Sequence, residues 1–164
     1  EEVYINDNDD FGSLYLKLSS IGSKLLVKTI EGITKNSLIP SKQAINDNLK
    51  IAPKLSNDNI RLDWSKSSKE VIWKIRGLSP KPGAWTILKN GEDEIRMKIL
   101  NAEEIFTSSD KRTYGELYVD NGKILIICKE GIINCIRLQL ENKREMSAVD
   151  LINGFKFHEN SHVY

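Results

Sequence analysis

Histidine is nearly missing from this chain of 164 residues, which holds only His158 and His162. Histidine is the commonest general base near neutral pH. Both copies fall in a tail expected to be mobile, so no histidine-driven catalysis is expected. Cysteine is as scarce: Cys128 and Cys135 sit inside apolar alternating runs. Two thiols supply neither a disulfide framework nor a metal site by themselves, and a reduced, cytoplasmic setting is expected. Four prolines and ten glycines beside 40% hydrophobic residues exclude disordered and collagen-like chains. The longest strictly apolar run, Ile124 to Cys128, is far too short for a membrane helix, which needs roughly 20 residues. The acidic opening, Glu1-Glu2, is unlike a signal peptide. There is no P-loop, no G-x-G-x-x-G and no H-E-x-x-H. The sequence does not open on methionine, and we expect it to be part of a longer protein.

Charge is present but unevenly spread. The net charge of +1 says nothing about partners. Residues 50–89, however, hold nine basic and three acidic residues, a net +6, between two mildly acidic flanks. Such a stretch is a candidate anion-binding surface, although a lysine-rich solvated face gives the same count.

The apolar pattern divides the chain. Val3 to Ile5 is expected to form a short strand. From Phe11 to Ile33, Leu14, Leu18, Ile21, Leu25, Leu26, Ile30 and Ile33 recur at steps of three and four, which predicts an amphipathic helix. Residues 36–59, polar with Pro40 and Pro53, read as an extended linker. Arg61 to Asp63 is expected to pair briefly. Ser67 and Glu70 form an S-x-x-E capping box ahead of Val71, Ile72, Ile75 and Leu78, so a second helix is predicted to end before Pro80. Thereafter short runs alternate with turn residues: Ala84–Leu88, Glu94–Ile105, Tyr114–Val119, Lys123–Cys128 and Ile132–Leu140. Asn90-Gly91 and Asn121-Gly122 are type I′ hairpin signals. A short helix over Ser147–Asn153 is expected to close the fold. The fold class is therefore mainly β, a small antiparallel barrel from about residue 60 to 164 with short flanking helices, since a barrel hides strand edges.

The chemistry-bearing residues are few. Glu103 and Glu104 point to opposite faces of a strand and make no acid/base pair. Asp63 beside Trp64 reads as structural. Trp64, Trp73 and Trp85 surround the basic stretch, where aromatics can stack on bases; for Trp73, core packing on its helix is an equal reading. The basic ensemble around them, with Lys69 and Lys74 in it, yields six candidate nucleic-acid contacts: Lys50, Lys54, Arg61, Lys66, Arg76 and Lys81. From the residues alone, no catalytic side chain is named.

The run APKLSNDNIRLDWSKSSKEVIWKIRGLSPKPGAWT, from Ala52 to Thr86, resembles the linker and C-domain start of methionyl-tRNA formyltransferases. NKREMSAVDLINGF, from Asn142 to Phe155, resembles the family's closing segment, and Asp10 to Ile33 resembles the last large helix of its N-terminal catalytic domain. The resemblance implies an OB-fold-like barrel that helps hold initiator methionyl-tRNA. It also implies that residues 1–35 end a Rossmann-like domain absent here, against which helix 11–33 would pack. The family's catalytic Asn, His and Asp and its folate segment lie upstream. No catalytic residue is carried over, the chain alone is expected to be inactive, and 10-formyltetrahydrofolate would be the donor of the parent, a cytoplasmic monomer, without binding this chain. Lys81 stands where relatives often carry an aromatic. Asn142 replaces a usual glycine, a change Asn tolerates because it accepts positive φ. Two other readings remain: the C-domain of a sugar-nucleotide N-formyltransferase, and a non-enzymatic OB-like RNA-binding module.

Overall fold

The computed structural model describes residues 1–43, 50–105 and 113–164, so part of the expected linker, 44–49, lies outside the described residues. The chain divides into two compact units, Glu1–Leu55 and Ser56–Tyr164.

In the first unit the periodic stripe forms helix α1, Phe11–Thr34. Its start is fixed by Asp10, whose carboxylate accepts from Ser13 N at 2.8 Å while Asp10 N donates back to Ser13 Oγ at 3.1 Å. That reciprocal pair satisfies two orphan donors of the first turn. The end is a Schellman arrangement: Asn36 adopts φ 53°, Asn36 N donates to Ile33 O, and Ser37 N donates to Gly32 O. No residue of α1 is buried, and Phe11, Tyr15, Leu18, Leu25, Leu26, Ile30 and Ile33 are exposed. The strand expected at Val3–Ile5 does not form; this segment is irregular and its apolar residues find no neighbouring strand.

In the second unit the predicted capping box is present. Ser67 N donates to Glu70 Oε2 at 3.1 Å, and Glu70 N donates to Ser67 Oγ at 3.3 Å. The resulting helix α2, Ser68–Leu78, buries Ser68, Val71, Ile75 and Leu78. It ends at the Pro80–Gly83 turn, where Gly83, at φ 83°, donates its N–H to Leu78 O. The strands follow: β1 Ala84–Asn90, β2 Asp93–Ile105, β3 Leu117–Asp120, β4 Lys123–Ile127, β5 Ile132–Leu140 and β6 Met146–Ser147. Helix α3, Ala148–Gly154, and strand β7, His162–Val163, complete the unit. The sheet is antiparallel in the order β3-β4-β5-β2-β1-β7, with β6 on β5. It curls around a core that includes Ile75, Leu88, Met97, Ile99, Ile124, Ile126, Ile133 and Leu138. Each such side chain contributes about 1.5–3 kcal/mol by leaving water. A register shift near Asn101, between β2 and β5, gives the sheet the local bend that closure requires.

The two Asn-Gly signals part ways. Asn121 and Gly122 both take positive φ, 47° and 75°, as a type I′ turn demands. In the other hairpin Asn90 pairs with Asp93 inside the ladder and only Gly91 has positive φ. The loop is thus Gly91-Glu92, and Asn90 is a buried strand residue. Arg61 to Asp63 provides a single parallel bridge, Arg61 to Trp85, instead of a strand. The Tyr114 run becomes a ladder only from Leu117.

The tail, expected to be mobile, is paired into the sheet. Strand β7 pairs with Leu88 and Lys89 of β1, and His162 bridges Glu116 just before β3, so the barrel is nearly closed. Asn90 holds the approach: its Oδ1 accepts from His158 N (2.9 Å) and Ser161 Oγ (2.6 Å), and its Nδ2 donates to Lys156 O (3.0 Å). Beneath it, Trp64 Nε1 donates to Thr86 Oγ1 (3.0 Å), which donates to Tyr164 O (2.9 Å).

Cys128 and Cys135 are buried and reduced. Burial pushes the Cys128 thiol up to about 12 and raises Cys135 further. Only the thiolate is nucleophilic. Neither thiol is therefore expected to react with a disulfide reagent at pH 8 in the native protein, and both should react once denaturant unfolds it; a time course of thiol titration checks this.

Candidate functional site

Strand alternation sorts β1 into an inner set, Ala84, Thr86, Leu88 and Asn90, and a half-exposed outer set, Trp85, Ile87 and Lys89. The register places Lys98 opposite Trp85, and Arg96 opposite Ile87. On the other side of β2, Gln139 of β5 faces Lys98. Trp85, Lys98 and Gln139 thus form a row across three strands. Arg96 reaches diagonally to lay its guanidinium 4.1 Å from the Trp85 ring centre, and Arg61 lies 5.4 Å from the same ring and 5.8 Å from that of Tyr164.

This cluster is built, not incidental. Trp85 Nε1 donates to Asn57 O at 3.0 Å, and Arg96 Nη2 donates to Asn57 Oδ1 at 3.3 Å. Lys74 of α2 donates to Arg61 O at 2.5 Å, tying the helix to the same edge. The Tyr164 phenol has its pKa raised, chiefly by a hydrogen bond to Glu94. Aromatic faces and an amide hold the guanidiniums in place while leaving their charge intact, each contact contributing about 0.5–2 kcal/mol. Arg96 Nε is buried and has no hydrogen-bond partner among the described residues. Beside it opens a recess of about 270 Å³ lined by Arg96, Lys98, Gln139, Leu140, Glu141 and Asn142. Asn142 takes φ 59°, as its substitution for glycine anticipates, and turns the chain at the rim.

The six candidate residues fall in both units. Arg61 lies in the cluster. Lys66 is exposed in the turn before α2, Arg76 is half-buried on α2, and Lys81 is exposed between the prolines. Lys50 and Lys54, both exposed, belong to the first unit. Arg96 and Lys98 escaped the sequence reading because they lie beyond the basic window and join it only through the β1–β2 register. Trp64 is a core residue, 3% exposed. Trp73, read equally as core, is 56% exposed. It sits on the side of α2 away from Val71 and Ile75, because the helix buries only one stripe. Asp63 is exposed, and its carboxylate accepts from Ser65, which lowers its pKa. Glu103 and Glu104 diverge as expected, accepting from Asn134 and Ser68 respectively.

Elsewhere the surface differs in character. A recess of about 480 Å³ is lined in part by Tyr114, Glu116, Tyr118, Glu159 and His162, with carboxylates in place of cations. Among the described residues, no three His, Cys, Asp or Glu side chains are grouped to hold a metal ion, and no helix is long and apolar enough to cross a membrane.

Residues 54–156 match the family model for the formyl transferase C-terminal domain. A methionyl-tRNA formyltransferase of Flavobacterium johnsoniae is 34% identical over 163 residues, covering 99% of this chain and 51% of that protein. One of Clostridium beijerinckii is 35% identical over 161 residues, covering 98% and 50%. The chain thus spans about half the length of the curated relatives it matches. Among solved structures, a variant of HypX from Aquifex aeolicus aligns with a TM-score of 0.63 at 16% identity, over 91% of this chain and 27% of that one. HypX in complex with tetrahydrofolic acid aligns at 0.53 and 17%, over 79% and 22%. At these identities the likeness is one of fold.

Proposed function

The chain belongs to the formyl transferase C-terminal domain family, and from that premise we propose that it is the C-terminal part of a methionyl-tRNA formyltransferase, holding the initiator tRNA while the preceding half transfers the formyl group. The observation that supports this most directly is the cationic ledge of Arg61, Arg96 and Lys98 around Trp85. Guanidiniums held against an aromatic ring, with a lysine beside them, suit a phosphodiester backbone, whose contacts position a nucleic acid without reading its sequence. Lys66, Arg76 and Lys81, in the same unit as the ledge, would add phosphate contacts, and so would Lys50 and Lys54 of the first unit. Translation initiation in the cytoplasm would be its setting.

The exposed stripe of α1 would seat against the sheet of the preceding catalytic domain. Formyl transfer to an amine needs a base and stabilisation of a tetrahedral oxyanion, groups that the family resemblance implies lie upstream of this chain. The donor, 10-formyltetrahydrofolate, would be held by the preceding half. We therefore assign the chemistry to the preceding half and expect this chain alone to be inactive.

The test is binding of the 164-residue chain to methionylated initiator tRNA across a salt series, with a sugar nucleotide for comparison. Each phosphate neutralised adds about 0.7–0.9 to the slope of log affinity against log salt. A slope of about 3 or more is expected. Failure to bind tRNA even at low salt would overturn the reading, and selective binding of the sugar nucleotide would replace it with the sugar N-formyltransferase alternative.

A further inference from the structure

Trp73 has no role in the fold that its size would justify. It is 56% exposed on an 11-residue helix whose buried stripe is already filled by Val71, Ile75 and Leu78. An indole left in water forgoes a large part of the energy its burial would supply. Its surroundings are cationic. Lys69, one turn before, holds its ammonium 5.4 Å from the ring centre. Arg76, at i+3, falls on the same side of the helix, and Lys66 lies exposed in the turn that precedes it. Lys74, the next residue, reaches Arg61 and so joins this face to the ledge around Trp85.

We propose that Trp73 is a stacking platform for an unpaired nucleotide base, with Lys69 and Arg76 engaging the phosphates on either side of it. A nucleobase covers an indole face without needing a hydrogen-bond pattern. Cations one helical turn away lie at the distance at which the backbone of the same nucleotide passes. Bases inside a duplex are already stacked on one another, so the platform favours looped or splayed RNA over continuous helix. The charge around the ring selects this occupant over an apolar protein surface, against which the Lys69 ammonium would be desolvated without an opposite charge.

This inference rests on the RNA-holding reading above and is tested apart from it. Two RNAs of equal phosphate number serve as probes, one a hairpin with an unpaired loop and the other a blunt duplex. Trp73→Ala should weaken hairpin binding by about tenfold and leave duplex binding and the salt slope unchanged. Trp73→Phe, which keeps an aromatic face, should recover most of the loss. Indole emission should be quenched by the hairpin in the unmodified chain, and far less in Trp73→Phe. Equal losses on both RNAs, or none, would overturn the platform while the tRNA reading stands. If the unmodified chain binds neither RNA, the broader reading fails first. If Trp73→Ala leaves RNA binding intact but weakens association with the catalytic half supplied separately, the ring is a protein contact and the inference is wrong.

Discussion

Asn90→Ala is expected to lower the stability of the barrel by about 3 kcal/mol. The substitution strips partners from Ser161 Oγ, His158 N and Lys156 O together. Asn90 and Ser161 are 6% and 2% exposed, so water replaces the lost bonds poorly. Each buried polar group left unsatisfied costs about 1–3 kcal/mol, and relaxation of the tail recovers part of the sum. For a unit of this size, about 3 kcal/mol corresponds to a fall in midpoint temperature of roughly 10–20 °C. Differential scanning calorimetry measures it, and hydrogen exchange should place the early loss of protection in residues 156–164. A drop of no more than a degree or two would mean that Asn90 is only a turn residue. Asn90→Asp separates the terms, because it keeps an acceptor for Ser161 and His158 while losing the donor to Lys156.

The largest functional effect is expected from reversing Arg61 and Arg96 together to glutamate. Both guanidiniums share the Trp85 ring, and Arg96 borders the recess that Lys98 also lines. Removing two phosphate contacts should lower the salt slope by about 1.4–1.8. Placing two carboxylates against the backbone should reduce tRNA affinity by at least a hundredfold near 0.1 M salt, where screening is still modest. The double glutamine variant, which removes charge without adding repulsion, should fall between. Near-UV circular dichroism of Trp85 controls for collapse of the cluster. If the glutamate pair leaves both affinity and slope unchanged, the ledge is not the tRNA surface.

Local rules carried much of the structure because local interactions decide those parts. The Ser67/Glu70 box and the Asn121-Gly122 turn each depend on a few adjacent residues. The β5 limits, Ile132–Leu140, follow from its apolar run. What failed was set at long range. Strand β7 is two residues long and has no periodicity to read. It forms because the edge of β1 stands open for it. Asn90 looks like a turn residue until its partners, more than 60 positions away, are in place. The ledge was half visible: Arg61 and Trp85 fell inside the basic window, whereas Arg96 and Lys98 came from a segment that is acidic in sum. Trp73 was ambiguous for a simpler reason, since Val71, Ile72 and Trp73 are consecutive apolar residues and a helix can bury only some of them.

The closing strand also sets the order in which this surface is made. Thr86 and Tyr164 are hydrogen-bonded across 78 positions of sequence. Pairings so distant form late and slowly, because the entropy of closing the loop precedes any gain from contact. During synthesis β1 and β2 emerge first, and the β1 edge faces solvent until His162 and Val163 arrive. Chain growth at about 5–20 residues per second leaves that edge unpaired for several seconds, a window in which a neighbouring nascent chain competes for it. Tyr164, which flanks Arg61, arrives with the same strand. The cationic ledge is thus completed by the same event that closes the barrel.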